Sequence, residues 1–201
     1  MRTYTIIVVT AILMLSLGSP SEALGQQTLK ISNYYSKRDA GRPKRTETKF
    51  IILHTTEAGN QSSKNAIHRY GSANYLVMTD GKVLRIIDKN KMAYHAGRSM
   101  WNGKTSLSEV SIGIEVVGYH NKPITLAQKV ALRELLRQLM DIYDISDERV
   151  LTHSMVAYGT PNRFHNYDHR GRKRCGMLFA TSEVRKSIGL SNIFSEDPDV
   201  K

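Results

Sequence analysis

Apolar residues first gather in Ile6–Leu17, IIVVTAILMLSL, after Arg2 and before the breakers Gly18, Ser19 and Pro20. A positive start, a short apolar run and small residues at Ser21 and Ala23 predict a secretory signal peptide over residues 1–23. The run is shorter than the roughly 20 apolar residues that span a bilayer, so no integral membrane anchor is expected. Residues 24–48 are polar and basic with no sustained period, which predicts an N-terminal arm with a short strand at Thr28–Ile31. Lys49–Thr55, KFIILHT, reads as a strand buried on both faces. Ser62–Tyr70 reads as a short helix capped by Ser62 or Ser63. Ala73–Met78 and Val83–Ile87 read as strands joined by a turn at Asp80–Gly81. Trp101–Ser108 reads as loop, and Val110–Val117, rich in β-branched residues, as a strand.

The strongest periodicity follows. Thr125 and Gln128 form the two ends of a capping box. Behind them Leu126, Val130, Leu132, Leu135, Leu136, Leu139 and Tyr143 recur at helical spacing, predicting a helix over Thr125–Tyr143 that covers a sheet. Val150–Leu151 predicts a short strand, Ser154–Arg174 a long polar loop, and Ser182–Ser187 a short helix stopped by Gly189. Residues 190–201 form an acidic tail expected to be loose. These elements predict a single α/β domain over residues 49–189, with a central mixed β-sheet flanked by helices.

Charge narrows the partners. The 201-residue chain carries 29 Lys and Arg against 18 Asp and Glu, a formal +11, and this favours a polyanion. Loss of residues 1–23 would leave that balance unchanged, because Arg2 and Glu22 leave together. For an exported chain no nucleic-acid partner is expected; an acidic membrane face or cell-wall polymer remains. One cysteine rules out an intramolecular disulfide. Cys175 is then a buried inert thiol, a bridge to another chain, or a metal thiolate.

The candidate chemistry sits at strand ends, where α/β sheets place reactive groups. His54 closes the first strong strand, and His153 follows the apolar run before it. With Cys175 they make a three-ligand set suited to Zn²⁺ with a fourth position open. Ordinary polar histidines are the rival reading, since no local spacing such as HExxH marks a metal site.

The order of segments adds more. KFIILHTTEA, SANYLVMTDGKV, AYHAG, VSIGIEVVG, a capped helix, VLTHS and GRKRCG follow one another over residues 49–180. In this order they resemble the zinc-dependent type-2 N-acetylmuramoyl-L-alanine amidases, relatives of phage lysozyme-like amidases and peptidoglycan recognition proteins. The resemblance implies hydrolysis of the amide between N-acetylmuramic acid and L-alanine in peptidoglycan or muropeptides, with a zinc-bound water as nucleophile. It implies His54, His153 and Cys175 as zinc ligands and Glu115 as the catalytic proton carrier. Lys173 would stabilise the oxyanion together with the zinc. It places Asn74 and His95 at the substrate, His95 alternatively behind a ligand. A periplasmic or secreted bacterial enzyme follows. A non-catalytic peptidoglycan-binding module is the alternative.

Two departures stand out. His153 and Cys175 are 22 positions apart, wider than the family's pattern, and the insertion offers His165, Asp168 and His169 as rival ligands. Asn74 stands where many relatives carry His. Of the rest, His68 and His120 read as surface groups, Glu57 and Glu109 as solvated, and Trp101 as core or a sugar platform.

Overall fold

The computed structural model describes residues 29–163, 166, 169–170 and 173–191. The predicted signal peptide, His165, Asp168 and the tail beyond residue 191 lie outside them. The chain opens with β1 (Ile31–Asn33), then β2 (Phe50–Thr55), α1 (Asn60–Tyr70), β3 (Tyr75–Val77) and β4 (Val83–Arg85). A small hairpin of β5 (Met100–Trp101) and β6 (Lys104–Thr105) precedes β7 (Ser111–Val116) and the long α2 (Leu126–Tyr143). After these come β8 (Val150–Thr152), α3 (His153–Val156), a second small hairpin of β9 (Tyr158–Gly159) and β10 (His169–Arg170), and α4 (Ser182–Ser187). Most predicted elements are present. The loops predicted at 101–108 and 154–174 each contain a two-residue hairpin.

The six-stranded sheet runs β1-β4-β3-β7-β2-β8. It is parallel except where β3 and β4 pair as a hairpin, so the mixed sheet is as expected. Parallel neighbours end together, which brings the C-terminal ends of β3, β7, β2 and β8 to one edge. On one face Ile51, Leu53, Ile112 and Ile114 pack with Leu132, Leu135, Leu136 and Leu139 of α2. The other face carries Phe50, Ile52 and Leu151 under Trp101, Leu107 and Val156.

Three sequence expectations shift. α1 starts two residues early behind Gly59, without a side-chain cap, and Ser63 lies inside its first turn, donating to Thr56 Oγ1 at 2.7 Å. On α2 the capping box forms as read, but Leu126 and Val130 are 77% and 56% exposed. They line a groove with Leu29 and Lys30 rather than the core. Third, the first strand lies at Ile31–Asn33 and pairs with β4, so the basic segment begins inside the sheet. Its Arg42 guanidinium donates to the Tyr70 and Gly71 carbonyls, and Arg45 donates to those of Lys89 and Lys91.

Candidate active site

Register assembles the site. In the ladder His54 on β2 stands opposite Glu115 on β7, and Leu53 stands opposite Thr152 on β8. One step on, His54, Glu115 and His153 therefore share one level at the C-terminal edge of the sheet. Registered residues of parallel strands share a face, so His54 and Glu115 point the same way. Cys175 arrives from the far end of the chain. Its carbonyl accepts from Ser154 N–H at 3.0 Å, and Gly176 N–H donates to Thr55 Oγ1 at 2.9 Å. Gly176 holds φ at +79°, and a Cβ there would meet the Leu53 carbonyl oxygen at 2.4 Å, so this close approach requires glycine.

Ligand atoms of His54, His153 and Cys175 all lie within 4.8 Å of one another. Cys175 Sγ is 3.5 Å from His54 Nδ1, and the His54 and His153 ring centroids are 4.5 Å apart. A tetrahedral zinc with ordinary Zn–N and Zn–S bonds separates such N and S atoms by about 3.5 Å. The donor set is neutral imidazole plus thiolate, the combination zinc prefers. His153 Nε2–H donates to the Ala96 carbonyl at 3.2 Å, which leaves the Nδ1 lone pair as its ligand atom. Glu115 stands 3.8 Å from His54 Nδ1 through Oε1, and its buried Oε2 has no hydrogen-bond partner among the described residues. These residues fit a zinc ion.

Burial dominates the electrostatics of the site. Burial, then the neighbouring His153 and His95, hold His54 well below the usual imidazole range. Burial brings His95 down to about 3. Burial, aided by the Glu57 charge, lifts Glu115 to about 8. Burial and then the Glu115 charge push the Cys175 thiol up to about 12. A dication among these groups inverts the logic, favouring both thiolate and carboxylate.

Of the remaining predicted residues, Lys173 is exposed, two positions before Cys175. His95 lies behind the ligands, its Nδ1 3.1 Å from His54 Nε2. Asn74 corrects the expectation of a substrate contact. It is 0% exposed. Its amide nitrogen donates to the Asp88 and Lys91 carbonyls at 3.0 Å, and its oxygen accepts from Gly113 N–H at 3.1 Å. An asparagine satisfies three backbone groups here that a histidine ring could not match. His169 lies over Gly159, where a Cβ would meet its ring at 2.5 Å, and not in the ligand cluster. Trp101 is core.

Some organising residues were not singled out from sequence. Glu57, read as merely solvated, accepts from Thr55 Oγ1 at 2.6 Å and from His120 N–H and Nδ1 at 2.9 and 2.8 Å. Partial burial opposes its ionisation, but these hydrogen bonds outweigh it and hold Glu57 below the usual carboxylate range. Ser111 and Gly113 also went unnoticed. With Glu115 they occupy alternate positions of β7, small or polar on one face and Ile112, Ile114, Val116 on the other. That break in an otherwise apolar strand was the available signal.

Comparison with known proteins agrees with this geometry. The family model of N-acetylmuramoyl-L-alanine amidase matches residues 44–175. The 1,6-anhydro-N-acetylmuramyl-L-alanine amidase AmpD of Haemophilus influenzae is 34% identical over 87 residues, 43% of this chain and 47% of that one. The N-acetylmuramoyl-L-alanine amidase AmiD of Escherichia coli is 30% identical over 126 residues, 54% of this chain and 46% of that one. The chain thus spans about half the length of the curated relatives it matches. The solved AmiD complex with anhydro-N-acetylmuramic acid-L-Ala-D-gamma-Glu-L-Lys superposes with TM-score 0.53 at 26% identity, covering 56% of this chain and 50% of that one. The amidase LysC from Clostridium intestinale shares the fold, with TM-score 0.60 at 18% identity over 81% of this chain and 99% of that one. The family model covers well over half of the chain: the chain belongs to the type-2 N-acetylmuramoyl-L-alanine amidase family.

Proposed function

We propose that this chain is a zinc-dependent amidase that hydrolyses the bond between N-acetylmuramic acid and L-alanine in peptidoglycan or muropeptides. One observation carries the reading: His54, His153 and Cys175 converge beside a buried, unpartnered Glu115 oxygen at the open edge of the sheet. AmiD and AmpD, the relatives matched, are named for this chemistry. The AmiD structure holds an anhydromuropeptide, which extends the substrate class to muropeptides.

His54 Nδ1, His153 Nδ1 and Cys175 Sγ would hold the ion. When bound, zinc acidifies a coordinated water and polarises a carbonyl. Glu115 takes the proton of the attacking water and delivers it to the departing alanine nitrogen. Its buried setting suits both halves of that task, since a carboxyl lifted toward neutrality accepts and returns a proton readily. Lys173 supplies positive charge to the oxyanion that develops on the lactyl carbonyl. Beside the site a groove of about 390 Å³ passes His120 and Met177 and carries Lys122 and Lys129 against Glu183. Two lysines there complement the carboxylates of a stem peptide. The apolar run at Ile6–Leu17 supports action in the cell envelope.

The test is metal content of the purified protein, for wild type and Cys175→Ser, with release of stem peptides from purified peptidoglycan assayed in parallel. One zinc per wild-type chain, with zinc and cleavage lost together in the variant, is the expected result. A full zinc complement in Cys175→Ser would move the third ligand to Asp168 in the inserted loop. No zinc and no cleavage in the wild type after reconstitution would leave a wall-binding module.

A further inference from the structure

Behind the ligands lies a chain of hydrogen bonds whose direction is set at its far end. The Leu107 carbonyl can only accept. Ser111 donates its hydroxyl proton to it. Ser111 Oγ then has lone pairs alone to offer His95 Nε2, 3.2 Å away, so that nitrogen carries the proton. In a neutral ring the other nitrogen is an acceptor. His95 Nδ1 is 3.1 Å from His54 Nε2, which must therefore be the donor. One lone pair remains on His54, at Nδ1, and Nδ1 is the atom 3.5 Å from Cys175 Sγ.

We propose that His95 is a positioning residue: by accepting from His54 Nε2–H, with Ser111 and the Leu107 carbonyl behind it, it fixes His54 in the one tautomer able to ligate a metal through Nδ1. The inference rests on the zinc reading above.

The chain is built rather than incidental. His54, His95 and Ser111 are all buried, so no bulk water competes for their hydrogen bonds. The His95 ring lies where a side chain on β7 would otherwise stand: a Cβ on Gly113 would come within 2.4 Å of it. The two ring planes stand at 86° to each other, with Nδ1 of one 3.1 Å from Nε2 of the other. Three alternate positions of one strand thus divide the work. Ser111 anchors the relay, Gly113 makes room for it, and Glu115 faces the ligands. A His54 with its proton on Nδ1 would point N–H at the cluster and could not bind the ion. Outer-sphere acceptors of this kind commonly contribute about 10- to 100-fold to metal affinity.

Substitution separates acceptor from mere filler. Gln at position 95 can accept with Oε1 and donate with Nε2, whereas Leu can do neither. We would measure zinc affinity by chelator competition for the whole chain as wild type, His95→Gln, His95→Leu and Ser111→Ala. The His54 tautomer would be read by ¹⁵N NMR in zinc-free protein. His95→Leu is expected to lose about 10- to 100-fold in zinc affinity, with Gln restoring most of it. Wild type and His95→Gln should show His54 protonated on Nε2 and His95→Leu a mixture, with a smaller shift in Ser111→Ala, whose backbone still bonds His95. Unchanged affinity and tautomer in His95→Leu, or a Gln variant as poor as Leu, would overturn the proposal. If His95→Leu fails to fold, the wild type carries the decision: a zinc-free His54 with its proton on Nδ1 overturns the relay. If wild type binds no zinc, the metal reading fails, and the zinc-free tautomer still decides whether His95 sets it.

Discussion

Glu115 is where two demands on one side chain can be measured apart. In the proposed role of proton carrier, its replacement by Gln should lower turnover by about 10²- to 10⁴-fold. Zinc content should stay intact, because the proposed ligands are His54, His153 and Cys175. Its buried carboxyl also links folding to pH. The folded value, about 8, lies above the ordinary 4.5, so the folded chain keeps a proton that the unfolded chain releases. That contribution to stability is fully present below pH 4.5 and is lost as pH rises through 8. In chelator, the melting temperature of Glu115→Gln minus that of wild type should therefore climb between pH 5 and 8. A constant offset would show that burial does not displace this group. His54, His153, Cys175 and Glu115 could be singled out from sequence because ligand and acid–base residue types are few. Asn74 was misjudged because an amide in a motif looks the same whether it faces a cleft or three backbone groups.

At the scale of elements, α2 separates what is local from what is not. Its capping box was readable because every participant lies within four residues. Thr125→Ala should cost about 1 kcal/mol. The buried edge of its stripe was not readable. Leu132 and Leu136 sit over the sheet, but Leu126 and Val130 overhang it beside β1. Leu132→Ala or Leu136→Ala should destabilise by about 2–5 kcal/mol, a cavity in a packed layer. Leu126→Gln should stay within about 0.5 kcal/mol, as at other exposed positions. Chemical denaturation of the three variants orders them, and a Leu126 effect as large as Leu132 would contradict the packing. β7 gives the same lesson on a strand: alternation could be seen, but which face held the site required its partners.

Across the whole molecule, the +11 charge is a long-range property, little tied to any one contact. Such attraction is screened over a Debye length of about 10 Å at 0.1 M salt. Binding to intact peptidoglycan should weaken as salt rises from 50 to 500 mM, as read by co-sedimentation. Turnover of a small soluble muropeptide should change far less, since it depends on the buried ligand cluster. Equal salt sensitivity of both would place the cationic groups inside the reaction itself. Part of the basic N-terminal segment is committed elsewhere: Arg42 and Arg45 hold backbone carbonyls across the fold, and Lys91 pairs with Asp39 at 2.8 Å. None of the described helices is long and apolar enough to cross a membrane.

By itself the sequence determined the α/β class, the principal elements, the caps and turns, and the short set of side chains capable of the chemistry. Each of these depends on neighbours a few residues away or on residue type alone. Tertiary structure decided the rest. Register put His54 level with Glu115 and His153, and a glycine with positive φ brought Cys175 across 121 positions to His54. It also turned Asn74 inward and set His95 behind His54 through Ser111 and Gly113. Those facts rest on strand pairing between distant segments, and a one-residue slip would have reversed every facing. Sequence spacing carries no record of that register, whereas the folded sheet fixes it through the burial of one apolar face.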